Sequence, residues 1–123
     1  CAIKNDLYKS LSAISPICSL IKSMFAKEMF SHYLNNDEKE LNLYDPITLI
    51  KQYSKKFHDI KIDVGLNDEF LNDLFIDDFI LACEEKKPKI SVNKHEGYDH
   101  GYYFIHSFIK DHIEYHAEIL KNI

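Results

Sequence analysis

The sequence predicts an α/β protein built on a parallel β-sheet. Three short stretches, residues 10–15, 59–64 and 89–94, have the pattern of strands, and each is followed by a segment with helical spacing. Strands that alternate with helices favour a parallel sheet covered by helices. With 123 residues, of which 46% are hydrophobic, the chain fits one domain, residues 1–123, with a modest core.

The first third of the chain predicts one strand and one helical region. Residues 1–9 have the pattern of a helix end and a short loop, and residues 10–15 that of a buried strand ended by Pro16. Residues 17–34 have helical spacing in at least part of their length. The apolar residues at this spacing are Leu20, Met24 and Phe25. Residues 35–40 are predicted to form a polar turn.

The middle third predicts a helix followed by a strand. Asp45 and Pro46 are a favourable helix start, because aspartate caps the first turn and proline fits its first position. This helix is expected to reach about Tyr53. Its inward-facing residues are Ile47, Leu49 and Ile50. The alternating residues 59–64 then predict a strand closed by Gly65.

A helical region follows the second strand and contains a break. Every fourth residue is apolar and marks one predicted face: Leu71, Phe75, Phe79 and Cys83. Asp77 and Asp78 have the character of helix caps, so we expect a fresh helix to start near Ile76. Pro88 stops the region, because proline removes a backbone donor.

The last third predicts a strand, a loop and a long helix. Residues 89–94 are the third strand, and the helix is expected to end near Lys121. One apolar stripe of this helix is predicted to contain Ile105, Phe108, Ile109, His112, Ile113, His116 and Leu120.

Composition excludes several classes of function. The net charge of -5 and the lack of a basic face argue against nucleic-acid or membrane-surface binding. No apolar run approaches the roughly 18 residues of a membrane span, and the start does not resemble a signal peptide. Three widely spaced cysteines without a C-x-x-C pair predict neither a disulfide framework nor a thiolate zinc site. Reduced thiols and a cytoplasmic location are the expectation.

The residues after the second and third strands are the candidate site. Gly97 and Gly101 bracket His100, and glycine accepts positive φ and close backbone approach, so a tight turn should present the imidazole. Asp68 follows Gly65. Both side chains should lie at the carboxyl edge of a parallel sheet, where ligands bind. A carboxylate beside a neutral imidazole makes a general base.

An exposed polar histidine remains the plain alternative. The competing carboxylates are Asp63, on a solvated or hydrogen-bonded strand edge, and Asp77, Asp78 and Asp99.

A second constellation lies on the last helix. His112 and His116 are four residues apart, a spacing that can hold a metal, but the intervening glutamate does not fit H-E-x-x-H. A helix face with two partly buried histidines is the more ordinary arrangement, so no metal is predicted. The chain has no phosphate-binding glycine loop and no G-x-S-x-G motif.

The histidine loop resembles the C-terminal region of the S-formylglutathione hydrolase family, also called esterase D. From Glu96 to Ile105 it reads Glu-Gly-Tyr-Asp-His-Gly-Tyr-Tyr-Phe-Ile. The similarity covers almost the whole chain. The other similar segments are residues 15–17, 44–45, 63–71, 79–87, 108–113 and 116–117.

This resemblance implies the C-terminal part of an α/β-hydrolase fold with a Ser-His-Asp triad and no cofactor. By matching position, His100 is the triad histidine and Asp68 the triad acid. The family hydrolyses S-formylglutathione to formate and glutathione, a step of formaldehyde detoxification, and also cleaves small esters. The family's nucleophile elbow precedes the segment matched by residues 1–5, so the chain alone is expected to be inactive. The chain has no tryptophan, whereas the family tends to carry one within the segment matched by residues 18–40, which leaves the substrate contacts there open.

Two other functions stay open at this point: a general carboxylesterase of the same fold, and a non-catalytic remnant or interaction module. The strand at residues 10–15 would normally pair with the strand leading to the nucleophile. Without that partner, its apolar edge is expected to cause self-association into a homo-oligomer or to require the missing half.

Overall fold

The computed structural model describes residues 2–4, 6–35, 37–52, 59–86 and 89–123. Within these ranges the chain forms a three-stranded parallel sheet flanked by helices, so the predicted α/β class and the three predicted strands are confirmed. The strands are β1 (Ser10–Ile14), β2 (Asp59–Gly65) and β3 (Ile90–His95). The helices are α1 (Met24–Ser31), α2 (Glu38–Asn42), α3 (Pro46–Gln52), α4 (Leu71–Leu74), α5 (Ile76–Lys86) and α6 (Tyr102–Lys121).

Strand β2 lies at the centre of the sheet, with β1 and β3 on either side. Its residues from Ile62 to Gly65 are all buried, which is expected when helices cover both faces of a parallel sheet. The register places Gly65 beside His95 at the ends of β2 and β3. The loops that follow these two strands therefore start next to each other.

The first predicted helix is shorter than expected. It begins at Met24, because the side chain of Ser23 accepts a hydrogen bond from the backbone N–H of Ala26 and caps the helix. Leu20 lies in a turn before the helix, and Met24 and Phe25 are exposed, so these residues do not form a core face. The predicted helix end within residues 1–9 is also wrong, because residues 2–4 and 6–7 form turns.

The polar segment after α1 contains an unpredicted helix. The carboxylate of Asp37 accepts from the backbone N–H of Lys39, and α2 starts at Glu38, inside the predicted turn. Helix α3 starts at Pro46 as predicted, and the Asp45 carboxylate accepts from the N–H of Thr48. Residue 53, its predicted end, lies outside the described residues.

The break predicted near Ile76 in the next helical region is confirmed. Phe75 has a φ of 57°, a left-handed conformation that ends α4 before α5 starts at Ile76. Asp77 and Asp78 lie in the first turn of α5, where acidic groups suit the helix dipole, and are not caps. The predicted single face is therefore interrupted at Phe75.

The predicted stripe of α6 is only partly correct. Phe104 and His112 are buried, whereas Ile105, Ile109 and Ile113 are 38%, 42% and 62% exposed. Phe104 and Phe108 face inward because they pack on His95, at the end of β3, and on Tyr98, in the loop that follows. Ring packing between elements thus overrides the apolar spacing along the helix.

Candidate active site

The loops after β2 and β3 bring Asp68 and His100 together. The Nδ1 of His100 lies 2.7 Å from the Oδ2 of Asp68, so the predicted proximity of these side chains is confirmed. The Asp68 side chain is completely buried, while that of His100 is 38% exposed. The other oxygen of Asp68 accepts from the backbone N–H of Phe70, 2.8 Å away. Both carboxylate oxygens are therefore held, and the imidazole keeps one nitrogen for another group.

Backbone hydrogen bonds join the two loops. The N–H of Leu66 donates to the carbonyl of His95, and the N–H of Asn67 donates to the carbonyl of Tyr98, each over 2.9 Å. A Cβ at Gly65 would collide with that same Tyr98 carbonyl, so only glycine allows this close approach. The relative position of the Asp68 and His100 loops is consequently fixed by main chain as well as by side chains.

The two glycines beside His100 have different roles. Gly97 has a φ of 78°, as predicted for a turn glycine. Gly101 is extended, with a φ of -95°, and forms the N-cap of α6. Of the two properties of glycine that predict this turn, positive φ therefore applies at Gly97 and not at Gly101. What favours glycine at position 101 is space, because a Cβ there would lie 2.7 Å from Asp99 Oδ1.

His100 borders an apolar pocket of about 400 Å³. The pocket residues besides His100 are Ser15, Ile17, Leu20, Phe25, Met29, Phe30, Phe70, Asp73 and Leu74. The ring of Phe70 stands edge-on to the imidazole at a centroid distance of 5.1 Å. A ligand in this pocket would place apolar atoms against α1 and its reactive atoms near the imidazole.

One wall of this pocket is held by Asp73, a residue that sequence analysis did not single out. Its carboxylate accepts from the Ser23 hydroxyl at 2.6 Å and from the backbone N–H of Met24 at 2.8 Å. The hydrogen bond from Ser23 is the largest influence on the Asp73 carboxyl and lowers its pKa. The four-residue spacing of apolar residues around Asp73 predicts a helix face, and it contains no signal for a contact with α1.

The family model named Esterase, described as "Putative esterase", matches residues 1–115. The chain belongs to this esterase family. Among curated relatives, it is 48% identical to the mouse (Mus musculus) S-formylglutathione hydrolase and 39% identical to that of Arabidopsis thaliana. These matches cover 98% and 94% of this chain but only 44% and 41% of the relatives. The chain thus spans less than half the length of the curated relatives it matches.

A solved structure agrees with this assignment. An S-formylglutathione hydrolase from Agrobacterium tumefaciens superposes with a TM-score of 0.89 at 33% identity, over 97% of this chain and 43% of that one. A ferulic acid esterase shares the fold, with a TM-score of 0.68 at 16% identity. The family confirms the resemblance found in the sequence.

The carboxylates that compete with Asp68 in the sequence have other partners. Asp77 pairs with Lys94 at 2.8 Å, and Asp78 pairs with Lys22 at 3.0 Å. Asp99 accepts from the backbone N–H of Gly101, 2.8 Å away. Among the described contacts, Asp68 is the carboxylate that meets His100.

Asp63 occupies a position that the sequence did not predict. The alternating pattern predicts a solvated or hydrogen-bonded strand edge, but β2 is the central strand and Asp63 is 1% exposed, so only the hydrogen bonding is confirmed. Its Oδ1 lies 2.6 Å from the Nε2 of His95. Its Oδ2 lies 2.9 Å from both the Nζ of Lys61 and the Nε2 of His112. Groups that can carry positive charge surround this buried carboxylate. They offset the free-energy cost of removing its charge from water.

His112 and His116 of α6 have protein partners. His112 is 4% exposed and faces Asp63. The two ring nitrogens of His116 lie 2.7 and 2.8 Å from the hydroxyls of Ser10 and Ser12 on β1. In the described ranges, no group of three or more His, Cys, Asp or Glu residues is arranged to hold a metal ion. Within the described residues, none of the helices has the length and apolar character that a membrane span requires.

We expect acid to destabilise the folded chain through His112. Burial is the largest influence on this imidazole and lowers its pKa, although Asp63 opposes the shift. The unfolded chain therefore binds this proton more tightly, so stability is complete above the unfolded pKa of about 6.5 and falls as pH decreases from there. Burial alone would raise the pKa of Asp63, but His95 and Lys61 outweigh it and lower the pKa. The stability that the ionised Asp63 contributes is lost at still lower pH, below about 4.

Urea unfolding at about pH 7 and about pH 5 tests this expectation. His112→Gln should reduce the fall in unfolding free energy between these two conditions. His106→Gln changes an exposed histidine of the same helix and should keep the native fall. Equal pH dependence in both variants would show that His112 is not responsible.

Proposed function

We propose that this chain supplies the histidine and the acid of a serine hydrolase that converts S-formylglutathione to formate and glutathione. The observation that supports it is the contact between Asp68 and His100 beside an apolar pocket. The names of the mouse and Arabidopsis thaliana relatives point to the thioester substrate. Residues 1–123 would form part of one α/β-hydrolase domain. A cytoplasmic location and a role in formaldehyde catabolism belong to the same proposal.

In the proposed reaction, each member of the pair has a role that its geometry supports. In the neutral imidazole, an Nδ1–H that donates to Asp68 would leave Nε2 as the nitrogen that accepts a proton. In acyl transfer, this nitrogen takes the proton of the nucleophilic hydroxyl and later gives it to the leaving thiolate. Asp68 stabilises the imidazolium formed between these two steps. A water activated by the same nitrogen would then release formate.

The nucleophilic serine is proposed to come from outside these 123 residues. The chain has no G-x-S-x-G, and it spans 44% of the mouse relative. The isolated chain is accordingly proposed to have no measurable turnover, because a base without a nucleophile cannot form the acyl intermediate.

A chimera tests the function. This chain replaces the segment of the mouse S-formylglutathione hydrolase that it matches, and hydrolysis of S-formylglutathione is followed by release of free thiol. We expect turnover by the chimera and none by the chain alone. The unchanged mouse enzyme is the positive control. A folded chimera without turnover would refute the proposal and leave the non-catalytic module as the better function.

A general carboxylesterase is the second candidate, and the apolar pocket beside His100 favours it. Such a pocket accepts an acyl or aryl group without recognising glutathione. The same chimera is assayed with 4-nitrophenyl acetate. A higher kcat/KM for S-formylglutathione supports the thioesterase, whereas a higher value for the aryl ester supports the carboxylesterase.

A further inference from the structure

One buried carboxylate touches the three elements that carry the candidate site. Asp63 is part of β2, which leads into the Asp68 loop. Through Oδ1 it contacts His95, the last residue of β3, and through Oδ2 it contacts His112 on α6. The His100 loop begins after β3 and ends where α6 begins. The start of this loop is therefore hydrogen-bonded to the strand that leads to Asp68, and the helix that follows the loop approaches the same carboxylate at His112, 2.9 Å away.

His95 also supports the aromatic residues that surround the loop. Its ring stacks on Phe108 with a centroid distance of 3.9 Å and an interplanar angle of 28°. It also meets Tyr98, within the loop, edge-on at 6.2 Å. A change in the orientation of His95 would displace α6 and the loop as well, because closely packed rings cannot move independently of one another.

We propose that Asp63 and His95 are positioning residues that hold His100 at hydrogen-bond distance from Asp68. This inference rests on the proposed function for its catalytic consequence, while its structural consequence stands by itself. Neither residue contacts the pocket beside His100, so their effect on the reaction is indirect. Small displacements matter here, since misplacing a reacting group by about 1 Å can cost about 10²-fold in rate.

The groups that face Asp63 come from each element packed against it. Lys61 lies on β2 itself, His95 on β3, and His112 on α6, where His116 also acts on the charge of His112. Lys61 keeps its partner when His95 is changed. Substituting His95 thus removes the link to β3 while the carboxylate stays paired.

The test compares His95→Phe and Asp63→Asn with matched controls in the chimera. Phenylalanine keeps a ring on Phe108 but cannot donate to Asp63, whereas His95→Gln keeps a donor. Asp59→Asn changes an exposed ion pair of the same strand, and His106→Gln changes an exposed histidine of α6. We expect kcat to fall about 10- to 100-fold in His95→Phe and Asp63→Asn with little change in KM, and His95→Gln to restore most of it.

Two further readouts separate positioning from general stability. The acidic limb of the pH profile should move to lower pH in His95→Phe, because a looser Asp68 contact stabilises the imidazolium less. The proton NMR signal of the His100 Nδ1–H hydrogen bond should move upfield in the same variant, whether or not the chimera turns over substrate.

If the unsubstituted chimera is inactive but the NMR signal moves in His95→Phe, the proposed function is refuted and the positioning role is not. An unchanged NMR signal, or a kcat equal to that of the controls, refutes the positioning role. If His95→Phe does not fold, Asp63→Asn decides by the same measurements.

Discussion

Replacing Asp68 with asparagine in the chimera is expected to lower kcat by about 10⁴-fold. The carboxylate accepts from the imidazole at 2.7 Å and is completely buried, so no water can substitute for it. An asparagine amide can present a donor toward His100 and favour the wrong tautomer, in which Nδ1 is the acceptor and Nε2 carries the proton. The base would then be unavailable to the nucleophile. The measurement is kcat for S-formylglutathione near neutral pH.

Asp77→Asn is the matched control for Asp68→Asn. Asp77 lies in the same region of the chain, but its side chain is 80% exposed and pairs with Lys94. Its substitution should leave kcat within about twofold of the chimera, because exposed ion pairs contribute about 0–1 kcal/mol. A loss in Asp68→Asn no greater than in this control would exclude Asp68 as the triad acid.

Replacing His100 with alanine should have the larger effect, a loss of about 10⁶-fold in kcat. The substitution removes both the proton acceptor for the nucleophile and the proton donor for the leaving group. KM should change little, because the apolar residues that line the pocket beside His100 are unchanged. His106→Ala, on the exposed surface of α6, should retain full activity. Retained turnover in His100→Ala would remove the catalytic role from this residue.

The double variant adds a second criterion. Residues that act as one unit are not additive, so Asp68→Asn combined with His100→Ala should be no slower than His100→Ala alone. Additive losses would mean that Asp68 acts on the reaction by a route that does not pass through the imidazole.

Much of the fold could be predicted because its signals are local. The strands at β1, β2 and β3 follow from alternation and from the residues that end them, and Pro46 marks the start of α3. The capping bonds of Ser23 and Asp37 set other boundaries that differ from the prediction. Such shifts depend on a single hydrogen bond or backbone angle, which a periodic pattern does not contain.

The sequence by itself determined the α/β class, the three strands, and the position of Asp68 and His100 after two of them. Their meeting could be expected because neighbouring parallel strands end at the same edge of a sheet. Only the tertiary structure decided that Asp63 lies among His95, Lys61 and His112, and that Asp73 holds the start of α1. These contacts join residues more than thirty positions apart, except for Lys61. They depend on the rotation of each helix and the spacing between elements, which packing of the whole chain sets.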